Sequence, residues 1–212
     1  MRQKLALFDF DGTMVKGDSI AGLVRFMYKS GKMSGQELLM SIFNTIKWKL
    51  KKMPVNAVKT HALSPLNRMT KEEAEKFLEQ FVVEQLAPQL YQEAVDAMKA
   101  HHQNGDLILL VSASPLCYLK YLKDVLPVTD IIATQTDEAF RVTNNVVREE
   151  KNKQILAWLA ENQVDADFES SFAYGDSSND LDMLSMVGHP HLCNPHANAR
   201  KQAPNIPVKI WR

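Results

Sequence analysis

The sequence predicts an α/β fold: a Rossmann-like core around a largely parallel sheet, with an all-α domain inserted after the first strand. Two observations predict the core. Short apolar runs of strand length recur along the chain, and helical patterns lie between most of them, which is the order of parallel βαβ units. A third observation predicts the insertion, because the stretch between the first and second runs is far longer than one crossover helix requires.

Composition narrows the class of protein. The 212 residues are 45% hydrophobic, which is enough for a sizeable core. Lys and Arg total 25, as do Asp and Glu, so the zero net charge gives no reason to expect nucleic acid as a partner. The two cysteines do not make a disulfide framework, and no apolar stretch is long enough to span a bilayer. We therefore expect a soluble cytoplasmic protein.

The strands follow from the apolar runs taken in order. They are predicted at Leu5–Phe10, Leu107–Val111, Asp130–Ala133, Ser171–Tyr174, His191–Cys193 and Val208–Trp211. The stretch FRVTNNVV, residues 140–147, predicts a small β-hairpin that turns at Asn144 and Asn145, with an irregular loop as the alternative.

The long stretch after the first strand carries only helical patterns, such as the apolar spacing of residues 20–27 and 39–53. We assign residues 16–87 to an inserted helical cap, and residues 1–15 and 88–212 to the core. An insertion at this point lies at the carboxyl edge of the sheet, where α/β proteins bind ligands. We therefore expect the cap to act as a lid.

Two aspartates stand at the end of the first apolar run, in the stretch DFDGT. Asp9 and Asp11 would point to the same side of an extended chain, and carboxylates beside a core are costly unless a cation, a donor or water meets them. Gly12 allows a tight departure of the backbone, and the Thr13 hydroxyl can hydrogen-bond the turn. The pair therefore indicates a cation site, although aspartates also serve as plain turn residues at strand ends.

Further strand ends carry polar groups. Ser112 and Ala113 follow the second run and offer a hydroxyl and backbone N–H groups to an anionic oxygen, or else form a local turn or helix cap. Asp176 and Asp180 follow the run SFAY, and Lys151 opens a helix, which is the unfavourable end for a cation. Parallel strands end at one edge of their sheet, so the serine and these aspartates should meet the N-terminal aspartates there.

Such a site combines hard oxygen ligands with an anion-binding turn. Oxygen ligands suit Mg²⁺, which commonly shares its coordination sphere with a phosphate. His189 and His191 could suggest zinc, but no second pair of ligands has matching spacing. We therefore expect Mg²⁺ as the cofactor and a small phosphorylated molecule as the substrate.

The ordered motifs DFDGT, LLVSAS, a downstream lysine and GDSSND resemble those of the haloacid dehalogenase (HAD) superfamily of phosphohydrolases, and they span nearly the whole chain. The helical insertion resembles the cap of subfamily IB, the branch that includes phosphoserine phosphatase. Within that branch, FDFDGTMVKGDS followed by TIKWKLK is most similar to small bacterial hydrolases, some of which act on phospholipid head-group phosphates.

The resemblance implies a role for the two N-terminal aspartates and their metal. Asp9 would be the nucleophile that attacks phosphorus to form an aspartyl-phosphate. Asp11 would protonate the leaving alcohol and then activate water. Mg²⁺ would be held by Asp9, the backbone carbonyl of Asp11 and Asp176.

The resemblance also implies phosphate-binding and supporting residues. Ser112, with the Ala113 backbone, and Lys151 would hold the phosphoryl oxygens. Asp180 would steady the lysine or the waters on the metal, and Gly12 and Thr13 would shape the turn. The implied function is a Mg²⁺-dependent phosphomonoesterase acting on a phosphoserine-like or phospholipid head-group-like metabolite.

Two positions leave alternatives. The family lysine could be Lys151 or Lys153, and Lys151 is favoured because it leaves Ile155 and Trp158 at the offsets of the family helix. Asp18 stands where phosphoserine phosphatases typically have a glutamate that meets the substrate ammonium. It is shorter and can equally cap the helix that follows, which weakens the expectation of phosphoserine itself.

Two other functions use the same residues. A phosphotransferase would pass the phosphoryl group from Asp9 to an alcohol, and a phosphate-binding module would perform no reaction. Asp11 favours turnover over mere binding, because a second carboxylate suits proton transfer.

The segment 39–53 predicts a helix with two contrasting faces. One face is apolar and comprises Leu39, Phe43, Ile46, Leu50 and Met53. The opposite face carries Lys47, Lys51 and Lys52, with Trp48 among them. We predict that the apolar face packs inside the cap while the lysines remain in solvent. The alternative is weak peripheral contact of the basic face with an anionic membrane.

Overall fold

The computed structural model describes residues 2–212, and the predicted α/β fold with a largely parallel sheet is confirmed. Its strands are β1 Leu5–Phe8, β2 Leu107–Pro115, β3 Asp130–Thr136, β4 Val142–Asn144, β5 Phe172–Gly175, β6 His189–Cys193 and β7 Val208–Lys209. They lie in the order β4-β3-β2-β1-β5-β6-β7, and each neighbouring pair is parallel except β3 with β4.

The central strand β1 is fully buried along its length. Ala6 and Phe8 belong to the apolar cluster on one face of the sheet, whereas Leu5 and Leu7 belong to the cluster on the other. A parallel strand covered on both faces needs a continuous apolar run, which is why LALF shows no alternation. Because β1 pairs with β2 and β5, the carboxyl ends of three strands meet.

Helices cover the sheet and form the insertion. The α-helices are α1 Ser19–Lys29, α2 Gly35–Lys49, α3 Val55–Leu63, α4 Lys71–Phe81, α5 Gln92–Gln103, α6 Leu116–Leu119, α7 Glu149–Glu161, α8 Leu181–Leu184 and α9 Ala197–Gln202. Shorter 3₁₀ segments are Ser64–Arg68, Ala87–Gln89 and Lys120–Asp124, and Val82–Leu86 is a π-helical turn. Capping boxes at Ser34 with Glu37 and at Thr70 with Glu73 fix the starts of α2 and α4.

The cap and the sheet share one apolar cluster. Phe26 of α1 packs against Phe77 and Phe81 of α4, with ring centroids 4.8 and 5.7 Å apart. Phe81 in turn meets Tyr118 of α6 edge-on at 5.6 Å. The division into a cap of residues 16–87 and a core of residues 1–15 and 88–212 therefore stays a prediction, because apolar packing continues from one part into the other.

The chain enters and leaves the cap at neighbouring points. Val15 forms an isolated antiparallel bridge with Leu90. The N–H of Tyr91 donates to the carbonyl of Met14 at 2.9 Å. The two chain crossings thus run side by side.

The predicted hairpin within residues 140–147 is wrong. β4 pairs antiparallel with the preceding strand β3, so the turn lies before it rather than at Asn144 and Asn145. Asp137 explains this choice, because its side-chain oxygen accepts N–H groups from Ala139 and Arg141 and stabilises the earlier turn.

The predicted packing of the α2 apolar face is also wrong. Leu39, Phe43 and Leu50 are at least half exposed, whereas the buried residues of α2 are Ser41 and Asn44. The apolar stripe therefore faces outward, and a polar stripe packs against the cap.

The basic end of α2 differs from the predicted helical face as well. The helix ends at Lys49, and Lys51 adopts a φ of 58° in the following turn, so Lys51 and Lys52 lie beyond the helix. Trp48, which is 43% exposed, lines a cavity between α1, α2 and α3 on the side opposite the apolar stripe. Among residues 2–212, no helix combines the length and apolarity needed to cross a bilayer.

Candidate active site

The site begins where β1 ends. The N–H of Asp9 donates to the carbonyl of Tyr174 in β5 at 2.9 Å, which fixes the aspartate at the sheet edge. The chain then turns at Gly12, whose φ is 80°. A Cβ at this position would lie 2.3 Å from Oδ2 of Asp176. Both the positive φ and this close approach require glycine.

Lys151 joins the carboxylates at the centre of the site. Its buried Nζ lies 2.6 Å from Oδ1 of Asp9 and 2.7 Å from Oδ1 of Asp180, and it donates to the carbonyl of Val111 at 2.9 Å. Burial acts to lower the pKa of Lys151, but the two carboxylates outweigh it and raise that pKa above its ordinary value. Lys153 points into solvent, where it approaches Glu149 and Glu150 of its own helix.

Asp9, Asp176 and Asp180 form a compact carboxylate cluster, with one oxygen from each within 4.8 Å of the others. Burial first, and then the charge of Asp180, raise the pKa of Asp9 to about 7. Burial first, and then the charges of Asp9 and Asp180, raise the pKa of Asp176 to about 8. Burial also acts to raise the pKa of Asp180, but Lys151 holds it below its ordinary value.

This cluster fits a hard divalent cation. One buried lysine cannot neutralise three buried carboxylates, and burial first, followed by repulsion from neighbouring carboxylates, raises the pKa values of Asp9 and Asp176. The donors are all oxygens, which suit Mg²⁺. Asp9 and Asp176 could hold such an ion, while Asp180 is engaged by Lys151 and by the N–H and hydroxyl of Ser177 at 2.9 and 2.7 Å.

Asp11 is held apart from the cluster. Its Oδ1 accepts the N–H of Ser19 at 2.6 Å, and its Oδ2 accepts the hydroxyl of Ser114. The hydroxyl of Ser19 contacts Ser114 at 2.9 Å and Tyr118 at 2.8 Å, which completes a hydroxyl network. Burial first, and then the charge of Asp18, raise the pKa of Asp11 to about 6. The aspartate is therefore clamped between the cap and the core.

The other predicted turn residues have local partners. The predicted end of the second strand at Val111 is wrong, because β2 runs to Pro115 with an irregular register after Ser112, so Ser112 and Ala113 lie within it. The Ser112 hydroxyl accepts the N–H of Ser114 at 3.0 Å, which is the local hydrogen bond that the sequence left as an alternative. The Ala113 carbonyl accepts the Thr134 hydroxyl, so this irregular end of β2 is fixed to β3. The expected hydrogen bond from the Thr13 hydroxyl is wrong, because this atom is buried and has no partner within residues 2–212.

Lys59 of α3 was missed from the sequence. It is 8% exposed, and its Nζ donates to the Ala113 carbonyl and to Oδ1 of Asn145, each at 2.6 Å. Burial lowers the pKa of Lys59 to about 8, although Asp18 and Asp11 oppose the shift. Helical spacing could have predicted the burial of Lys59, because this residue falls on the same face as Val55 and Ala62.

Asp18 and His196 also border the site. Oδ1 of Asp18 caps α1 by accepting the N–H of Ala21 at 2.9 Å. Asp18 and Lys59 line the cavity between α1, α2 and α3, of about 570 Å³, with apolar walls that include Trp48. His196 places Nε2 3.0 Å from Oδ2 of Asp176, and no local pattern marked it.

A parallel α/β core with a buried lysine between strand-end aspartates, beneath a helical cap, defines a phosphohydrolase of the HAD type. The sequence profile of the haloacid dehalogenase-like hydrolase family matches residues 6–185, and the chain belongs to this family. The predicted resemblance to the HAD superfamily is confirmed, and the chain is a phosphatase. Its fold is similar to that of phosphoserine phosphatases.

Several known proteins are similar to this chain over nearly its full length. Histidinol-phosphatase from Neisseria meningitidis is 28% identical, with 95% of each chain covered. The crystal structure of a protein of unknown function from Bordetella pertussis has a TM-score of 0.89 at 26% identity, covering 98% of both chains. A substrate-bound phosphoserine phosphatase has a TM-score of 0.68 at 19% identity, covering 98% of this chain and 93% of that one.

The two candidate lysines can be separated by substitution. We expect Lys151→Met to lower kcat/KM by about a thousandfold or more, because the phosphoryl charge then lacks its buried cation. Lys153→Met is the matched control on the same helix and should stay within about twofold of wild type, as exposed substitutions generally do. Steady-state phosphatase assays of both variants provide the test. A larger loss in the Lys153 variant would contradict the assignment of Lys151.

Lys59 should give the protein a pH-dependent stability. Its pKa of about 8 in the folded state lies below the ordinary value of 10.5, so unfolding takes up a proton between these two values. The free energy of unfolding should therefore gain a contribution that rises with pH from about 8 to 10.5 and is constant below 8. Urea unfolding at a series of pH values measures it.

The rise in stability should be absent from Lys59→Met and retained in Lys76→Met, a control on the exposed side of α4. Comparing each variant with wild type at the same pH cancels the titration of other groups. A constant difference between wild type and Lys59→Met across this pH range would contradict the prediction.

Proposed function

We propose that this phosphatase is a Mg²⁺-dependent phosphomonoesterase that forms an aspartyl-phosphate on Asp9. One observation carries the proposal: a buried carboxylate and a partly buried one, two residues apart, are held in different environments. Asp9 contacts Lys151 within the carboxylate cluster, whereas Asp11 is bonded to Ser19 and Ser114. Such a separation supports different tasks for the two aspartates.

In the first step, an oxygen of Asp9 bonds to phosphorus while the bond from phosphorus to the leaving alcohol oxygen breaks. The Asp11 carboxyl group donates its proton to that oxygen. In the second step, Asp11 takes a proton from water, whose oxygen bonds to phosphorus. Inorganic phosphate leaves, and the carboxylate of Asp9 is restored. The raised pKa of Asp11, about 6, suits a group that both gives and takes a proton.

Charge neutralisation would be divided among the remaining groups. Mg²⁺, held by Asp9, Asp176 and the backbone carbonyl of Asp11, would supply positive charge to the phosphoryl oxygens. Lys151 would share this task, while the Ser112 hydroxyl and the Ala113 backbone would position the phosphate. Burial of these groups strengthens their electrostatic effect, because water does not screen it.

For the substrate, we infer an alcohol phosphate that bears an amine and a partly apolar body. The cavity beside Asp18 and Lys59 supports this choice, because its carboxylate can meet an ammonium group and its walls include Val24 and Trp48. The name of the Neisseria relative indicates histidinol phosphate, whose amine and imidazole ring match these features.

Both Cys117 and Cys193 are free thiols, which supports action in the reducing cytoplasm.

Replacement of the nucleophile tests the reaction. We expect Asp9→Asn to lose more than about 5 kcal/mol of transition-state stabilisation, measured as kcat/KM on an aryl phosphate. Asp165→Asn, an exposed control, should retain full activity. Circular dichroism checks that both variants fold. Near-normal phosphate release by Asp9→Asn would contradict the mechanism. If neither the wild type nor the control variant releases phosphate, a binding module is favoured instead.

Adding a polyol acceptor and assaying its phosphorylation distinguishes a transferase from a hydrolase.

Metal removal tests the cofactor. Treatment with EDTA should abolish phosphate release, and added Mg²⁺ should restore it. Ca²⁺ should restore it poorly, because this larger ion prefers more ligands and looser geometry. The same assays, run with histidinol phosphate, phosphoserine and phospholipid head-group phosphates, rank the substrates. Full activity after exhaustive chelation would contradict the metal requirement.

A further inference from the structure

We propose that the outward face of α2 and the lysine-rich turn after it dock the enzyme on an anionic lipid bilayer. The docking face is defined by Leu39 and Phe43 of α2 and by Leu50, its C-terminal capping residue, together with Lys51 and Lys52 in the turn. The inference concerns where the enzyme works, and it does not depend on the reaction or on the metal.

The first observation is the inverted polarity of α2. A cap helix normally buries its apolar stripe and exposes its polar one. Here the Leu39, Phe43 and Leu50 side chains are 67%, 50% and 60% exposed, while Ser41 and Asn44 are buried. Within a helix, positions 39, 43, 46 and 50 fall on one face, so the exposed side chains form a continuous stripe. Exposed apolar patches of this kind mark interaction surfaces.

The second observation is the charge around that stripe. From Leu38 to Arg68 the sequence contains no Asp or Glu, whereas lysines stand at positions 47, 49, 51 and 52. The Glu37 carboxylate at the start of α2 is already engaged by Arg68. The surface is therefore locally basic in a chain whose net charge is zero, and its complement is an anionic partner.

The third observation is the position of the lysines relative to the stripe. Lys47 and Lys49 fall on opposite sides of the apolar face in a helix of 3.6 residues per turn. Nζ of Lys47 lies over the Phe43 ring, 4.5 Å from its centroid. Lysines at the border of an apolar stripe can extend to lipid phosphates while the stripe enters the acyl boundary.

These features favour a bilayer over a second copy of the chain. A two-fold contact through this face would bring Lys51 and Lys52 of one copy towards the same basic face of the other, without carboxylates from residues 38–68 to pair with them. Like charges at such a contact oppose association. An anionic bilayer offers both the negative charge and the apolar interior that the docking face lacks.

The test is co-sedimentation of the full chain with vesicles of phosphatidylcholine alone or with about one third phosphatidylserine. We expect binding to the anionic vesicles at low salt, little binding to the neutral ones, and release at high salt because the attraction is screened. The triple variant Leu39→Ser, Phe43→Ser, Leu50→Ser should bind at least about tenfold more weakly. The double variant Lys51→Gln, Lys52→Gln should lose roughly fivefold per lysine.

Matched controls lie outside the docking face. Val83→Ser with Ile210→Ser removes two exposed apolar side chains, and Lys99→Gln with Lys201→Gln removes two exposed lysines. Both control variants should bind as wild type does. Circular dichroism of all variants checks that they fold.

Two results would overturn the proposal. One is the absence of binding to anionic vesicles at low salt, and the other is binding that both docking-face variants retain. Light scattering of the same samples identifies the competing occupant. A dimer that the triple variant converts to monomer, without vesicle binding, would make this face a contact between two copies. Vesicle binding is measured without turnover, so its outcome is independent of the proposed reaction.

Discussion

The buried charge of Lys151 is the interaction on which the rest of the site depends. A single side chain from α7 meets the end of β1 through Asp9, the middle of β2 through Val111, and the start of α8 through Asp180. Carboxylates crowded at this depth repel one another, and removal of a central cation would leave uncompensated buried charges. The arrangement of the strand ends is therefore tied to one ion pair network, and the proposed reaction would draw on the same charges.

The core could be predicted from the sequence because its signals are local. A continuous apolar run predicts β1, and the aspartates that follow it can be identified from the local sequence alone. The errors arose where a local pattern has two structural solutions. Helical spacing correctly predicted that α2 is amphipathic, but it does not predict whether the face that contains Phe43 is buried or exposed. Asn144 and Asn145 are good turn residues, yet the side chain of Asp137 stabilised an earlier turn.

The site was predictable to a different extent. Sequence motifs identified the groups at the strand ends, since each motif stands beside its own strand. Contacts between the cap and the core were not predictable, because they join residues far apart in the chain. Lys59 reaches Ala113 and Asn145 across such a distance, and Ser19 reaches Asp11 only after the chain has turned. The orphaned hydroxyl of Thr13 likewise depends on tertiary surroundings.

The paired crossings at Val15 and Leu90 have a consequence for how such proteins diversify. Because the two chain segments are bridged to each other, the distance between the end of β1 and the start of α5 is set within the core itself. The intervening residues can therefore lengthen or shorten without changing the separation of these two chain crossings. A family built in this way can keep the residues at the strand ends constant while the helical insertion between the two crossings varies.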